Sequence, residues 1–575
     1  MKLIIRQYVA GLRERSELDA VLPDLLSQMG LVVYSRPGRG TRQDGVDVAA
    51  VGSLDGGPEK VYLFSIKAGD LSRKEWNGDS IQSLRPSLDE IIDSYIANRI
   101  SPEHKKKKIV ICVTFGGDVQ EQVRPQLKAY IKKNTNRKVS FEEWNGDKLA
   151  SLIQSNFLRE GLIPESVRSN LRKTLALLDE PEAAYGYFAA LAETLDGTFS
   201  NDAERIRAMR QLTVSLWILF SWSRELGNLE CAYRASEITI LHAWNIFRFF
   251  GGKNTKASEA CRDALISIFQ AYRQINTEYL AKIIPHLQSL HALSAAVQGG
   301  SSLDVNLKMF DLLGRIALSG LWSYGAALQC ADDDKFRSDQ LLAEAAGAAA
   351  GVKALISNNP VLYSPIKDDQ ATDIALAAFL LLIEGDDRLA LGGWMREMVQ
   401  RIRFAFATNE HYPCTKQSYS DLLEHPLSKE AKYRENVTNA SVLYPLMALI
   451  AALLKDDKLF ADLASLQSET LMYSNFQLWF PDDSTEDNLY TNRDIHGISL
   501  CDIGLQSGPE ELLKQLSAEC EQSPQFWKLS CVQQGWWQLV LVACRHYRLP
   551  IPLHLLKGLG ETTGSGEENS NTGAE

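Results

Sequence analysis

The six residues Ile109-Val110-Ile111-Cys112-Val113-Thr114 show no polar alternation, and they stand between Lys105-Lys106-Lys107-Lys108 and Gly116-Gly117. A strand that is apolar on both faces must be covered on both faces, so this run predicts an interior strand of a sheet with helices on each side. The flanking sequence supplies those helices and the other strands. Leu18, Val21, Leu22, Leu25, Leu26 and Met29 recur at helical spacing after Ser16, a capping residue, and before Gly30, a stop, with Pro23 in the early part. Strands are predicted at 31–34, 45–51 and 60–66, the last two joined by a turn over 53–58 rich in glycine and proline. Helical spacing returns at 80–98 and at about 119–134, a strand is predicted at 139–141, and a final helix at about 147–157. The expected order is α-β-β-β-α-β-α-β-α, an α/β domain with a mixed sheet flanked by helices, closing by about residue 165.

Beyond that point the periodicity is almost wholly helical, and no fixed repeat of 34 to 47 residues recurs. The predicted organisation is an α/β domain over 1–165, a large all-helical domain over 166–557 and a disordered acidic tail over 558–575, with a loop at 480–492. Hydrophobic residues at 45% and charged residues at 23% are values of packed globular chains. The net charge of −11 is unevenly divided: residues 1–165 carry a net +3 and the rest a net −14. A mildly basic first domain is compatible with nucleic acid there, although the four consecutive lysines read better as a solvated strand entry. The nine cysteines form no CxxC pair and read as reduced thiols. No run approaches the roughly 18 uncharged residues of a membrane span, so a cytoplasmic protein with no membrane partner is expected.

Chemistry concentrates in Asp44-Gly45-Val46-Asp47-Val48 and in the strand ending Ser65-Ile66-Lys67. An acid at the mouth of one strand and a lysine at the end of the next suit a divalent metal held against a phosphate. Asp47 is expected within its strand, with Val46 and Val48 on the opposite face, and Ser65 and Lys67 share a face by the two-residue period. The lysine ammonium can polarise a water or a non-bridging oxygen. Gly38-Arg39-Gly40 and Gly116-Gly117 lack the GxxxxGK[ST] setting of a phosphate loop and read as turns. The histidines are scattered, Trp536-Trp537 reads as an apolar anchor, and the alanine-rich run 343–350 suggests close helix packing or an oligomer contact.

These two segments, preceded by a helix ending at Gly30, resemble the PD-(D/E)xK nucleases, in particular the Mrr-type restriction endonucleases of modified DNA. The run 109–114 followed by Asp147-Lys148-Leu149 is also similar to nuclease domains of bacterial antiviral defence proteins. The resemblance covers about 160 residues and its motif is short. It implies Asp47 as the metal-binding acid, Lys67 as the catalytic lysine, and Ser65 at the position usually held by Glu, Asp or Gln. Serine is a weak Mg²⁺ ligand. Either water and a backbone carbonyl complete the shell, or Asp70 or Glu75 has migrated in, or the site is dead. The family often adds an acid from the first helix, here Glu17 or Asp19, and Gln82 could reach the DNA backbone. The implied protein is a Mg²⁺- or Mn²⁺-dependent DNA endonuclease, the effector of a bacterial anti-phage system, restrained through its helical domain by homo-oligomerisation or by a partner ATPase or sensor subunit. The alternative is an inactive nuclease fold serving as a nucleic-acid-binding or scaffold subunit.

Overall fold

The computed structural model describes residues 5–6, 9–10, 12, 18–35, 44–54, 56–77, 83–156, 165–297, 299, 301–330, 334–383, 387–425, 427–428 and 432–556. Ser16, Glu17, the stretch 36–43, Gln82 and the tail 558–575 therefore lie outside the described residues. The chain divides into two compact units, Met1–Ile275 and Asn276–Glu575.

The first unit is built on a five-stranded sheet in the order β1-β2-β3-β4-β5, comprising β1 (Val32–Ser35), β2 (Val48–Gly52), β3 (Lys60–Lys67), β4 (Lys108–Phe115) and β5 (Val139–Trp144). β1 to β3 form an antiparallel meander, and β3, β4 and β5 run parallel. β4 lies inside the sheet and is buried from Ile109 to Phe115, as its unbroken apolar run predicts. Helices α1 (Asp19–Gln28), α2 (Arg73–Asn77), α3 (Leu84–Glu90, continued by a π-turn at Ile91–Tyr95 and by Ile96–Asn98), α4 (Arg124–Asn134) and α5 (Gly146–Asn156) surround it. On one face Val61, Leu63, Ile109, Ile111 and Val113 pack under Leu84, Leu88, Ile91, Leu127 and Tyr130 of α3 and α4. Alternation turns Tyr62, Phe64, Val110 and Cys112 to the other face, where Phe64 meets Trp144 edge-on at 5.0 Å. Helix α1 contacts β1, β2 and α5.

Boundaries differ from the sequence expectation where long-range pairing competes with local pattern. β2 opens at Val48, not at residue 45, because Asp44 and Gly45 form a turn with φ of +47° and +79°. Asp47 consequently occupies the bend before the strand, and Val46 joins the apolar cluster beside Ala49 and Val51 while Val48 does not. α4 opens at Arg124, not at 119, because Val119 pairs with Leu71 in a parallel bridge. The short helix α2 at Arg73–Asn77 has no counterpart in the sequence expectation. Further helices of the unit include α6 (Glu165–Ala176), α7 (Pro181–Leu195), α8 (Asp202–Glu225) and α9 (Glu230–Phe247), and the long helix Lys256–Ala281 begins in it. Asn201 caps α8 by accepting from Glu204 N–H at 3.0 Å, and Arg210 on α8 reaches Gln28 on α1.

The second unit is largely helical. Its main helices are α10 (Ser302–Leu328), α11 (Lys335–Asn358), α12 (Ala371–Ile383), α13 (Arg388–Thr408), α14 (Leu443–Leu454), α15 (Asp457–Glu469), α16 (Pro509–Gln522) and α17 (Gln538–Tyr547). A capping box between Ser301 and Asp304 starts α10. The alanine-rich run lets α11 lie close on α10: a Cβ on Gly320 would stand 2.7 Å from that of Ala348. Trp536 and Trp537 pack against Trp322 and Phe379, the anchoring role their sequence suggests. Two small strand pairs interrupt the helices, Ala440–Ser441 with Asn475–Phe476 and Leu478–Phe480 with Ile498–Leu500. The expected loop at 480–492 thus begins in a strand and contains a helical turn, Thr485–Asn488. Inside the unit Asp311 receives Arg315 at 2.8 Å and Arg545 more closely, and Asp373 receives Arg548 at 2.5 Å. Burial alone would push the Asp311 carboxyl up, but Arg315 and Arg545 outweigh it and hold this group well below the usual carboxylate range. Among the described residues no helix is long and apolar enough to cross a membrane.

Candidate active site

The β2–β3 ladder brings the two sequence segments together. Its register runs from Val48 opposite Phe64 to Gly52 opposite Lys60, and one further step sets Asp47 opposite Ser65. The Asp47 N–H donates to Phe64 O at 2.9 Å, and the Ile66 N–H donates to Asp47 Oδ2 at 2.7 Å. The carboxylate therefore closes the end of the ladder, taking a backbone donor of β3 that lies past the end of β2. Ser65 and Lys67 follow on one face of β3, the face of Leu63. Both are interior residues: Ser65 is 1% exposed and Lys67 6% exposed. Ser65 Oγ has no hydrogen-bond partner among the described residues, a costly condition for a buried hydroxyl.

The Asp-Gly pair ahead of Asp47 has a definite mechanical reason. A Cβ on Gly45 would fall 2.0 Å from the Ser87 carbonyl oxygen of α3, and the positive φ excludes most side chains in any case. Asp44 accepts from Arg99 Nε at 2.8 Å, which ties the turn to the far end of the same helix. Sheet and helix together thus fix the approach of Asp47 to β3.

Glycines lace the loops at this end of the sheet. Gly117 N–H donates to Gly69 O at 2.8 Å and Gly146 N–H to Gly117 O at 2.9 Å, joining the loops that leave β3, β4 and β5. A Cβ on Gly146 would lie 2.1 Å from the Gly116 carbonyl oxygen, so only glycine permits this approach. Asp70 accepts from the Asp118 N–H at 2.8 Å and Glu75 accepts from the Ser72 hydroxyl. Asp70 thus braces the loop that leaves β4, and Glu75 binds the residue just before α2. Arg6 joins the rim by pairing with Asp118 and, at 2.9 Å, with Asp147. Its position so far upstream carries no periodicity or motif that would reveal the contact.

Asp19 opens α1 and is half-buried; Glu17 lies outside the described residues, as does Gln82. The segment before α1 reaches the same end of the sheet, since the Val9 carbonyl stands where a Cβ of Gly116 would go. On β5 and α5, Glu142 bonds Lys148 at 2.9 Å and Trp144 Nε1 at 3.0 Å, with the Lys148 ammonium 4.5 Å from the Trp144 ring centre. Burial opposes ionisation of Glu142, and the bonds from Lys148 and Trp144 prevail, lowering its pKa. Of the four-lysine run, Lys107 pairs with Glu59 and Lys108 opens β4.

Among the described residues no three His, Cys, Asp or Glu side chains gather closely enough to hold a metal by themselves. What the site does present is one carboxylate, an unpartnered buried hydroxyl and a buried lysine on adjoining strands. That set does not fit a protein-caged ion such as structural zinc. It fits Mg²⁺ or Mn²⁺, which keep several waters and take further oxygens from substrate phosphate. Comparison with family models, with curated proteins and with solved structures finds no match to this chain.

Proposed function

We propose that the first unit is a divalent-metal-dependent DNA endonuclease, with Asp47 and Lys67 as its central residues. The observation that supports this reading is the β2–β3 register, which carries Asp47 to the position opposite Ser65 and leaves Lys67 two residues further on the same face. Asp47 and the Ser65 hydroxyl would hold the ion, with Asp19 or Glu17 as the candidates from the first helix. A bound Mg²⁺ supplies charge stabilisation at the phosphate and a more acidic water. Asp47 would help hold the ion through a carboxylate whose position is set by the Ile66 N–H. Lys67, drawn inside the sheet's apolar face, offers its ammonium to the charge developing on a phosphate oxygen, where low polarity strengthens the interaction. A role in bacterial defence against phage, with the helical region as the place of restraint by self-association or by a partner ATPase or sensor, is inferred from the resemblance alone.

The serine in place of an acid favours a second reading, in which the fold binds nucleic acid or scaffolds a complex without cutting. Plasmid degradation with Mg²⁺ or Mn²⁺ separates them. Wild type should cleave, and Asp47→Ala and Lys67→Ala should each lose about 10²-fold or more. Equal rates in all three proteins reject the site. Absence of cleavage by the wild type, with duplex binding retained, selects the second reading.

A further inference from the structure

We propose that the outward side of α4, continued by α2 and the start of α3, is the surface on which double-stranded DNA is seated. This inference rests on the nuclease reading for its substrate but on separate residues for its evidence. Lys128, Lys132 and Lys133 are exposed along α4, and no Asp or Glu occurs in that helix. Arg73 and Lys74 on α2 and Arg85 on α3 are exposed as well. None of these six cations makes an ion pair among the described residues. Other cations of this part of the molecule do: Arg99 with Asp44, Lys107 with Glu59, Arg124 with Glu121 and Lys148 with Glu142.

The three helices form one surface because a single side chain joins them. Tyr130 of α4 meets Trp76 of α2 edge-on at 5.7 Å and donates its hydroxyl to Asp89 of α3 at 2.7 Å. Tyr130 thus holds Asp89, and Ser72 holds Glu75, so two of the acids on these helices are tied to neighbouring hydroxyls. The surface also reaches the site. Val119, which pairs with Leu71 just beyond Lys67, precedes α4, and the eleven residues of α4 then run about 16 Å away from it. A duplex presents a phosphate charge about every 1.7 Å, so a basic strip leading away from the catalytic lysine suits a rod longer than the cleaved step. An acidic protein would be expected to leave an apolar centre among the charges, whereas the outward positions here read Pro125, Gln126, Lys128, Ala129, Lys132 and Lys133.

The test is fluorescence anisotropy of a labelled 20-bp duplex with the full chain in EDTA, from about 50 to 200 mM salt, a range over which phosphate contacts are strongly screened. Lys128→Gln/Lys132→Gln/Lys133→Gln should bind at least tenfold more weakly, with the slope of log affinity on log salt reduced by about two to three. Lys105→Gln/Lys106→Gln, at the entry to β4, should bind as wild type. An unchanged slope in the triple variant, an equal loss in the Lys105/Lys106 variant, or tighter binding of an RNA duplex overturns the proposal. Because the assay needs no metal, duplex binding without cleavage sinks the nuclease and leaves this surface standing, while cleavage with an unaffected triple variant does the reverse.

Discussion

Asp47 has a structural duty that exists before any substrate arrives. Its Oδ2 accepts the Ile66 N–H, so a cation must share that oxygen or use the other one. Ser65 is the opposite case, a buried hydroxyl without a partner among the described residues. Placing the family's acid there should expose what the pocket is for. Ser65→Glu buries a carboxylate and should cost about 1–3 kcal/mol in EDTA. Mn²⁺ should return most of that loss, seen as a rise in melting temperature larger than that of the wild type; identical melting of the variant in Mn²⁺ and EDTA would show that no cation sits beside Ser65. Asp47 and Lys67 stood out in the sequence because one lies at the mouth of an apolar strand and the other at the end of the next. Nothing local announces that Asp70 is bound to the loop after β4, since its partner, the Asp118 N–H, is defined only by the folded chain.

The elements were read best where burial on both faces removes ambiguity, as in β3 and β4. They were misread where backbone geometry overrides side-chain pattern. Val46, Val48 and Val51 look like one strand, but the turn at Asp44 and Gly45 delays β2 to Val48 and turns Val46 into the cluster under α3. The periodic residues from 119 onward look like one helix, but Val119 is used in the bridge to Leu71. That turn is the element on which the site depends. Gly45→Ala would combine an unfavourable φ with a contact at 2.0 Å to Ser87, and should cost about 2–4 kcal/mol. Urea unfolding of the full chain checks this, and a variant as stable as wild type would mean that α3 yields easily and does not fix Asp47. Gly57, where a Cβ would stand no nearer than 3.4 Å to the Leu54 carbonyl oxygen, is the matched control and should tolerate alanine within about 1 kcal/mol.

Across the whole molecule, the cysteines offer a reading of global order. Cys112, Cys231, Cys261, Cys414, Cys520, Cys531 and Cys544 are buried free thiols, Cys330 is half-buried and Cys501 is exposed. Burial also pushes Cys414 up to about 11 and Cys261 up to about 12, so these thiols are slow nucleophiles as well as hidden ones. Native protein should react rapidly with a thiol reagent at Cys501, more slowly at Cys330, and at the others only in denaturant; early labelling of Cys112 would mean that the sheet opens readily. The periodicity of the second half suggested helices but not their pairing, because charged residues look alike in sequence whether they face water or each other. Asp311 and Arg545 are separated by 234 positions and meet inside the second unit. On a ribosome adding about 5–20 residues per second, Asp311 has Arg315 almost at once but would wait roughly 10–50 s for Arg545. Throughout that interval the acid is only half supplied with its cations, and the closing of this unit is timed by the arrival of its late arginines.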